Sequence, residues 1–89
     1  MSKVVKKTLE GGIINTKLYR NGELWWESYK LNGKKHREDG PAFINYHSDG
    51  SIYWEEYWLN NKAYHKKEYK AWLLNKEADE IIQTMLEEK

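Results

Sequence analysis

NGELWWESYKLNGK, Asn21 to Lys34, and DGSIYWEEYWLNNK, Asp49 to Lys62, are two copies of one segment set 28 residues apart. At that offset Gly22/Gly50, Trp26/Trp54, Glu27/Glu55, Tyr29/Tyr57, Leu31/Leu59, Asn32/Asn60 and Lys34/Lys62 are identical, seven of the thirteen positions from 22 to 34. Leu24/Ile52 and Asn21/Asp49 are conservative pairs, and Gly12/Gly40 extends the match upstream. A fixed period of this kind marks a chain built from one repeated supersecondary unit.

The unit reads as a β-hairpin. Asn21-Gly22 is the strongest short hairpin signal, because both central positions of a two-residue turn take positive φ. Asn32-Gly33 turns the chain again, and Asn60-Asn61 is its looser counterpart, since asparagine tolerates positive φ. Ser48-Asp49-Gly50 turns the second copy. Between these signals lie strand candidates at Ile13 to Tyr19, Glu23 to Leu31, Ala42 to His47 and Ser51 to Leu59. Val4 to Leu9 is a basic first strand, expected at a sheet edge where lysines discourage aberrant pairing. His36 to Pro41 is too polar and turn-rich for a strand, and Asp39-Gly40-Pro41 breaks any helix.

Strand side chains alternate faces. Leu24, Trp26, Ser28 and Lys30 are therefore expected on one face, with Trp25, Glu27, Tyr29 and Leu31 on the other. In the second copy the sets are Ile52, Trp54, Glu56, Trp58 and Tyr53, Glu55, Tyr57, Leu59. The face carrying aromatic, Glu, Tyr and Leu at matching steps is assigned to the core. The other face diverges between copies, with Lys30 against Trp58, and a specific surface can be written there.

From Lys66 the pattern becomes helical. Tyr69, Trp72 and Leu73 form one stripe; Ala78, Ile81, Ile82, Met85 and Leu86 form a second, on nearly the opposite side at about 100° per residue. Either the helix breaks near Asn75 or the second stripe docks on another molecule.

Eighty-nine residues make one domain with a thin core. The absence of cysteine excludes disulfides and zinc-thiolate sites. No apolar run approaches the roughly 18 residues a membrane helix needs. The KVVKK amino terminus lacks the apolar region of a signal peptide, so a cytoplasmic location is expected. Net charge is +1, but residues 1 to 22 carry +4 and residues 76 to 89 carry −3. All thirteen aromatic residues lie between Tyr19 and Trp72, more than one thin sheet hides. Aromatic residues are enriched at binding surfaces.

Several groupings invite a chemical reading. His36, Glu38 and Asp39 match no standard metal-site spacing, and a charged turn with an Arg37–carboxylate contact explains them better. His47-Ser48-Asp49 are adjacent on a turn and build no catalytic relay, which is defined by geometry. Glu27 and Glu55 are read as cross-strand partners of lysines or tyrosine hydroxyls. No catalytic residue and no metal ligand is assigned. Lys34, Lys35, His36 and Arg37 form the densest basic cluster, beside aromatic strands. Cations next to exposed rings suit a protein partner or a nucleotide or single-stranded nucleic acid, where charge holds phosphate and rings stack on bases. Lys35, His36, Arg37, Trp54 and Trp58 are the expected binding residues. A homodimer is also expected, with Ile81, Ile82, Met85 or Trp58 in the contact.

LNGKKHREDGPA, Leu31 to Ala42, followed by an apolar strand and a second turn-strand-LNxK unit, resembles the short β-hairpin repeats of MORN-like proteins. It is closest to a divergent group with His-Arg-Glu-Asp-Gly-Pro-Ala repeats found in phages and large DNA viruses. The resemblance covers about residues 12 to 65. It implies hairpins stacked side by side into an elongated sheet used for binding, and a phage or viral protein that blocks a host protein, such as a defence factor, without catalysis. A nucleotide sponge or single-stranded nucleic-acid binder is the alternative. The second copy departs from the pattern: HKKEYKAW replaces HREDGPA, with His65 and Glu68 echoing His36 and Asp39 after one inserted residue.

The expected architecture is α+β. A single domain, 1–89, holds an antiparallel hairpin-repeat sheet of about four or five strands, with two repeats in 12–65. A C-terminal helical segment, 66–89, follows.

Overall fold

A computed structural model describes residues 1–87; the last two residues of the expected helical segment lie outside it. The chain forms one antiparallel sheet followed by one helix, elongated to 59 × 26 × 20 Å. The strands are β1 (Ser2–Thr8), β2 (Ile14–Arg20), β3 (Glu23–Leu31), β4 (Lys34–Lys35), β5 (Phe43–Tyr46), β6 (Ile52–Leu59) and β7 (Lys62–Tyr64). A 3₁₀ turn at Glu10–Gly12 joins β1 to β2, and helix α1 spans Lys66–Glu87. The sheet order is β1-β2-β3-β5-β6-β7, with β4 also beside β3. The α+β class and the hairpin sheet match the sequence reading. The strand count is higher because two stubs of two and three residues, β4 and β7, are too short to show a period.

The turns repeat with the sequence. Asn21-Gly22, Asn32-Gly33 and Asn60-Asn61 are two-residue loops with both residues at positive φ. That geometry matches the right-handed twist of the flanking strands. The loop at Ser48-Asp49-Gly50 is one residue longer, closed by bonds from His47 N–H to Ser51 O (2.8 Å) and Gly50 N–H to His47 O (3.0 Å).

Both copies also carry a bulge at the same step. The β2–β3 register slips between Leu18 and Tyr19, which leaves Trp25 unpaired; the β5–β6 register slips between Asn45 and Tyr46, which leaves Tyr53 unpaired. The two bulge residues are 28 apart. A bulge adds one residue to one strand and resets its parity. Strict alternation therefore holds from Trp26 to Leu31 and from Trp54 to Leu59. Upstream, Leu24 pairs with Tyr19 and Ile52 pairs with Tyr46, on the Glu27/Tyr29 face instead of the Trp26/Trp54 face. Trp25 and Tyr53 are exposed, not core.

The core lies on the face expected for it. Tyr29, Ala42, Ile44, Leu59 and Tyr69 are its buried apolar and aromatic members, with Asn15, Glu27 and His36 its buried polar ones; Ser28 is buried on the opposite face, paired with Phe43. The cover is a loop, residues 36–42, and the first turns of α1. Arg37 lies over Tyr29, its guanidinium carbon 3.9 Å from the ring centroid. The Tyr69 ring sits 4.7 Å from Tyr57, the repeat counterpart of Tyr29. The two strands thus receive equivalent lids, a guanidinium in the first copy and a phenol in the second. Helix α1 is unbroken through Asn75. Its second stripe, with Ile81, Ile82, Met85 and Leu86, is consequently exposed. Among the described residues no helix is long and apolar enough to cross a membrane.

Candidate functional site

The basic cluster of the sequence is divided by the sheet. In β4 the side chains alternate, so Lys35, paired with Lys30, emerges on the Trp26 side. His36 follows on the opposite side, its N–H bonded to Tyr29 O at 3.1 Å. His36 is buried and Nδ1 accepts the Asn60 N–H at 3.0 Å. That bond places the proton of the neutral ring on Nε2, which lies 3.1 Å from Glu38. Arg37 donates from Nε to Asp39 (2.9 Å) and from Nη1 to the Pro41 carbonyl (3.1 Å). Its backbone N–H donates to Trp58 O at 3.2 Å. Glu38 is also bonded by the Lys76 ammonium from α1. Lys76 is the principal reason the Glu38 carboxyl sits below its usual range, with burial opposing and His36 assisting.

His36 and Arg37 therefore clasp the fold. They tie the loop of the first copy to the second-copy turn and, through Tyr69 and Lys76, to the helix. The Tyr69 hydroxyl bonds the Arg37 carbonyl and the Gly40 carbonyl, the latter at 3.0 Å. Gly40 lies against the Arg37 guanidinium, where a Cβ would approach it to 3.0 Å. The register sets Tyr64 opposite Tyr57, the step His36 holds opposite Tyr29. His65 therefore occupies the next step, not that of His36.

Lys35, Trp54 and Trp58 do come together, on the sheet face turned away from the core. Glu56 is at the centre. Its carboxylate accepts the Trp54 indole N–H at 3.0 Å and the Trp58 indole N–H at 2.9 Å. The two tryptophans are four residues apart on β6, roughly 13 Å along a strand, and both indoles lean toward the carboxylate between them. Lys35 Nζ lies 4.4 Å from the Trp58 ring centroid and 5.7 Å from that of Phe43. Trp26 extends the row, 6.0 Å from Phe43. The Trp54 indole, against the opposing effect of burial, then Trp58 and Lys35, hold the Glu56 carboxyl below its usual range. Trp58 lies on the face opposite Tyr57, against which Tyr69 of the helix packs.

The result is an aromatic face in which Trp54 is exposed and Trp26, Phe43 and Trp58 are half-buried, with one carboxylate bonded to two indoles and one ammonium over a ring. Glu56 was the residue sequence reasoning missed. The available signal was WEEYW itself: a carboxylate two steps from each of two tryptophans shares their face and can reach both.

The remaining acidic and histidine groupings are internal devices. Asp49 Oδ1 accepts Ser51 Oγ (2.6 Å) and N–H (2.9 Å) as a local turn, while His47 packs edge-on against Tyr53. Glu27 accepts the Tyr29 hydroxyl (2.6 Å), the Tyr46 hydroxyl (2.7 Å) and Asn15 Nδ2 (3.4 Å). Burial raises its pKa, but these donors and Lys17 outweigh that and hold it low. Burial, then Glu27, push the Tyr29 hydroxyl up to about 12. Among the described residues no three His, Asp or Glu side chains form a metal site. Comparison with protein-family models, curated proteins and solved structures finds no match.

Proposed function

We propose that this chain is a non-catalytic binding protein of phage or viral origin, whose aromatic face docks on a host protein and inhibits it, a defence factor being the fitting target. One observation carries the reading: Glu56 accepts the indole N–H of the exposed Trp54 and of the half-buried Trp58, beside Lys35. Fixed aromatic side chains give large contact area at little entropic cost, the usual anchors of a protein interface. The viral and host parts rest on the His-Arg-Glu-Asp-Gly-Pro-Ala resemblance. The central carboxylate disfavours a nucleotide on this face, because it would lie beside the phosphates that Lys35 alone would hold.

The test is co-purification from the native host with the parent and with Trp54→Ser/Trp58→Ser, followed by mass spectrometry. A stoichiometric protein held by the parent and lost by the variant, with far-UV circular dichroism preserved, is the expected result. A bound nucleotide with raised absorbance at 260 nm, or capture indifferent to both tryptophans, overturns the proposal.

The exposed stripe of α1 is part of the same proposal: it pairs with that of a second copy, giving a homodimer through Ile81, Ile82 and Met85. None of the three packs on the sheet, so Ile82→Asp with Met85→Asp should yield folded monomers at micromolar concentration. Sedimentation equilibrium of the parent at the mass of one chain, whatever its concentration, refutes the dimer.

A further inference from the structure

The two copies are not equally complete. In the first, β3 has two neighbours on its far side. β4 pairs with Lys30 and Leu31, while β5 pairs with Trp26, Glu27 and Ser28. Tyr29 N–H adds a 2.7 Å bond to Ala42 O. In the second copy, β7 pairs with Tyr57 to Leu59 in the manner of β4. The chain then enters α1, so no strand follows to take the place of β5. Among the described residues, Ile52 to Glu56 of β6 have a neighbouring strand on one side only.

Two further observations fall at the same edge. A cleft of about 560 Å³ opens between β6, from Trp54 to Trp58, the end of β7 and the start of α1, and so includes Trp54, Glu55 and Glu56 of this half. The hydrogen bonding is also half-made. Glu27 receives one tyrosine hydroxyl from its own strand and one from the strand alongside, Tyr29 and Tyr46. Its counterpart Glu55 receives Tyr57 from its own strand, at 3.3 Å. Among the described residues no neighbouring strand delivers the equivalent of Tyr46.

We propose that the open half of β6, Ile52 to Glu56, is a slot for one extended strand of a protein partner that repeats the Ala42–Tyr46 pattern of small, aromatic, aliphatic, polar and tyrosine residues. The occupant is specified by the copy of this slot that the chain has already filled. β5 sets Phe43 opposite Ser28, Ile44 opposite Glu27 and Asn45 opposite Trp26. Twenty-eight residues on, the incoming aromatic residue falls opposite Glu56 on the Trp54/Trp58 face. The aliphatic residue falls opposite Glu55 on the Tyr57 face, and the tyrosine reaches the Glu55 carboxylate. Strand addition to a free sheet edge supplies affinity through main-chain bonds and specificity through alternate side chains. β1 of a second copy, with three lysines and no aromatic residue in Ser2–Thr8, does not carry the pattern. The proposal rests on the binding-protein reading, to which it adds the form of the partner segment.

The probe is a capped synthetic peptide copying residues 40–47, GPAFINYH, titrated into ¹⁵N-labelled protein. Saturable amide shifts centred on Trp54 to Tyr57 are expected. Changing the peptide tyrosine to phenylalanine should weaken binding about threefold to tenfold, the range of one lost hydrogen bond. In Glu55→Ala protein the two peptides should bind alike, because the acceptor is gone. No shifts at millimolar peptide, equal binding of a scrambled peptide, or shifts centred on Trp26 to Tyr29 or on β1 overturn the slot. If the peptide fails while host-protein capture still depends on Trp54 and Trp58, the slot alone is wrong. If the peptide binds and capture ignores both tryptophans, the aromatic-face reading alone is wrong.

Discussion

Replacing Glu27 by alanine removes an acceptor shared by three side chains. Asn15 keeps its bond to the Ser28 carbonyl at 3.3 Å, and the half-buried Tyr46 hydroxyl can turn to water. Tyr29 is buried and loses its acceptor outright. One orphaned buried donor costs about 1–3 kcal/mol, and losing charge-assisted bonds brings the total to about 2–4 kcal/mol. An 89-residue domain has roughly 5–13 kcal/mol in all, at 0.05–0.15 per residue. Glu27→Ala should therefore lower Tm by about 10–25 °C. Glu55 is the internal control. It is half-buried, with one longer tyrosine bond, so Glu55→Ala should cost about 0–1 kcal/mol because water takes over. Glu27→Gln keeps an acceptor without the charge and should fall between, about 1–2 kcal/mol. The sign with pH follows from the lowered carboxyl. The unfolded chain takes up the Glu27 proton first as pH falls, so the advantage of parent over Glu27→Gln is complete above the unfolded carboxylate value, roughly 4.3. It declines as pH drops through the lower folded value. Urea and thermal melts of the parent and three variants from neutral to acid pH measure all of this. Equal costs for Glu27→Ala and Glu55→Ala, or a parent–Gln gap that does not shrink in acid, would refute the reasoning.

Asn61 holds the turn position that Gly33 holds in the first copy, at φ 68°; Asn61→Gly should stabilise by about 0.5 kcal/mol and raise Tm a few degrees, whereas Gly33→Val should cost about 1–3 kcal/mol. Arg37→Glu sets a carboxylate beside Asp39 and strips the Tyr29 lid, so urea melts should show a loss of about 2–4 kcal/mol, while Lys35→Glu on the open face leaves far-UV circular dichroism unchanged. Lys76→Met removes the bond to Glu38, a pair about two-fifths exposed on each side, and should cost about 0.2–1 kcal/mol at neutral pH. That cost should vanish in acid, where Glu38 takes up its proton and the pair dissolves in the parent too.

What was legible in the sequence was local. Asn-Gly and Asn-Asn turns carry their own φ preference, so three of the hairpin positions follow from three dipeptides. Tyr and Leu two steps apart marked the core face because burial repeats with the pleat. The bulges were invisible, since Trp25 and Tyr53 look like strand residues and only pairing shows that they have no partner. The KKHR cluster misled because neighbours in sequence leave opposite faces of a strand. His36 reaches Asn60 and Tyr69 reaches the Arg37 carbonyl across 24 and 32 residues, separations at which no pattern in one chain reports contact. Yet the place where the repeat fails was legible and is informative. Where the first copy continues with an arginine and a further strand, the second substitutes Tyr69 and a helix. A phenol can replace the guanidinium as a lid over Tyr57, but a helix cannot pair with a strand. Closing the core at this end therefore leaves the upper edge of β6 open, and it opens beside the two tryptophans that Glu56 holds in place.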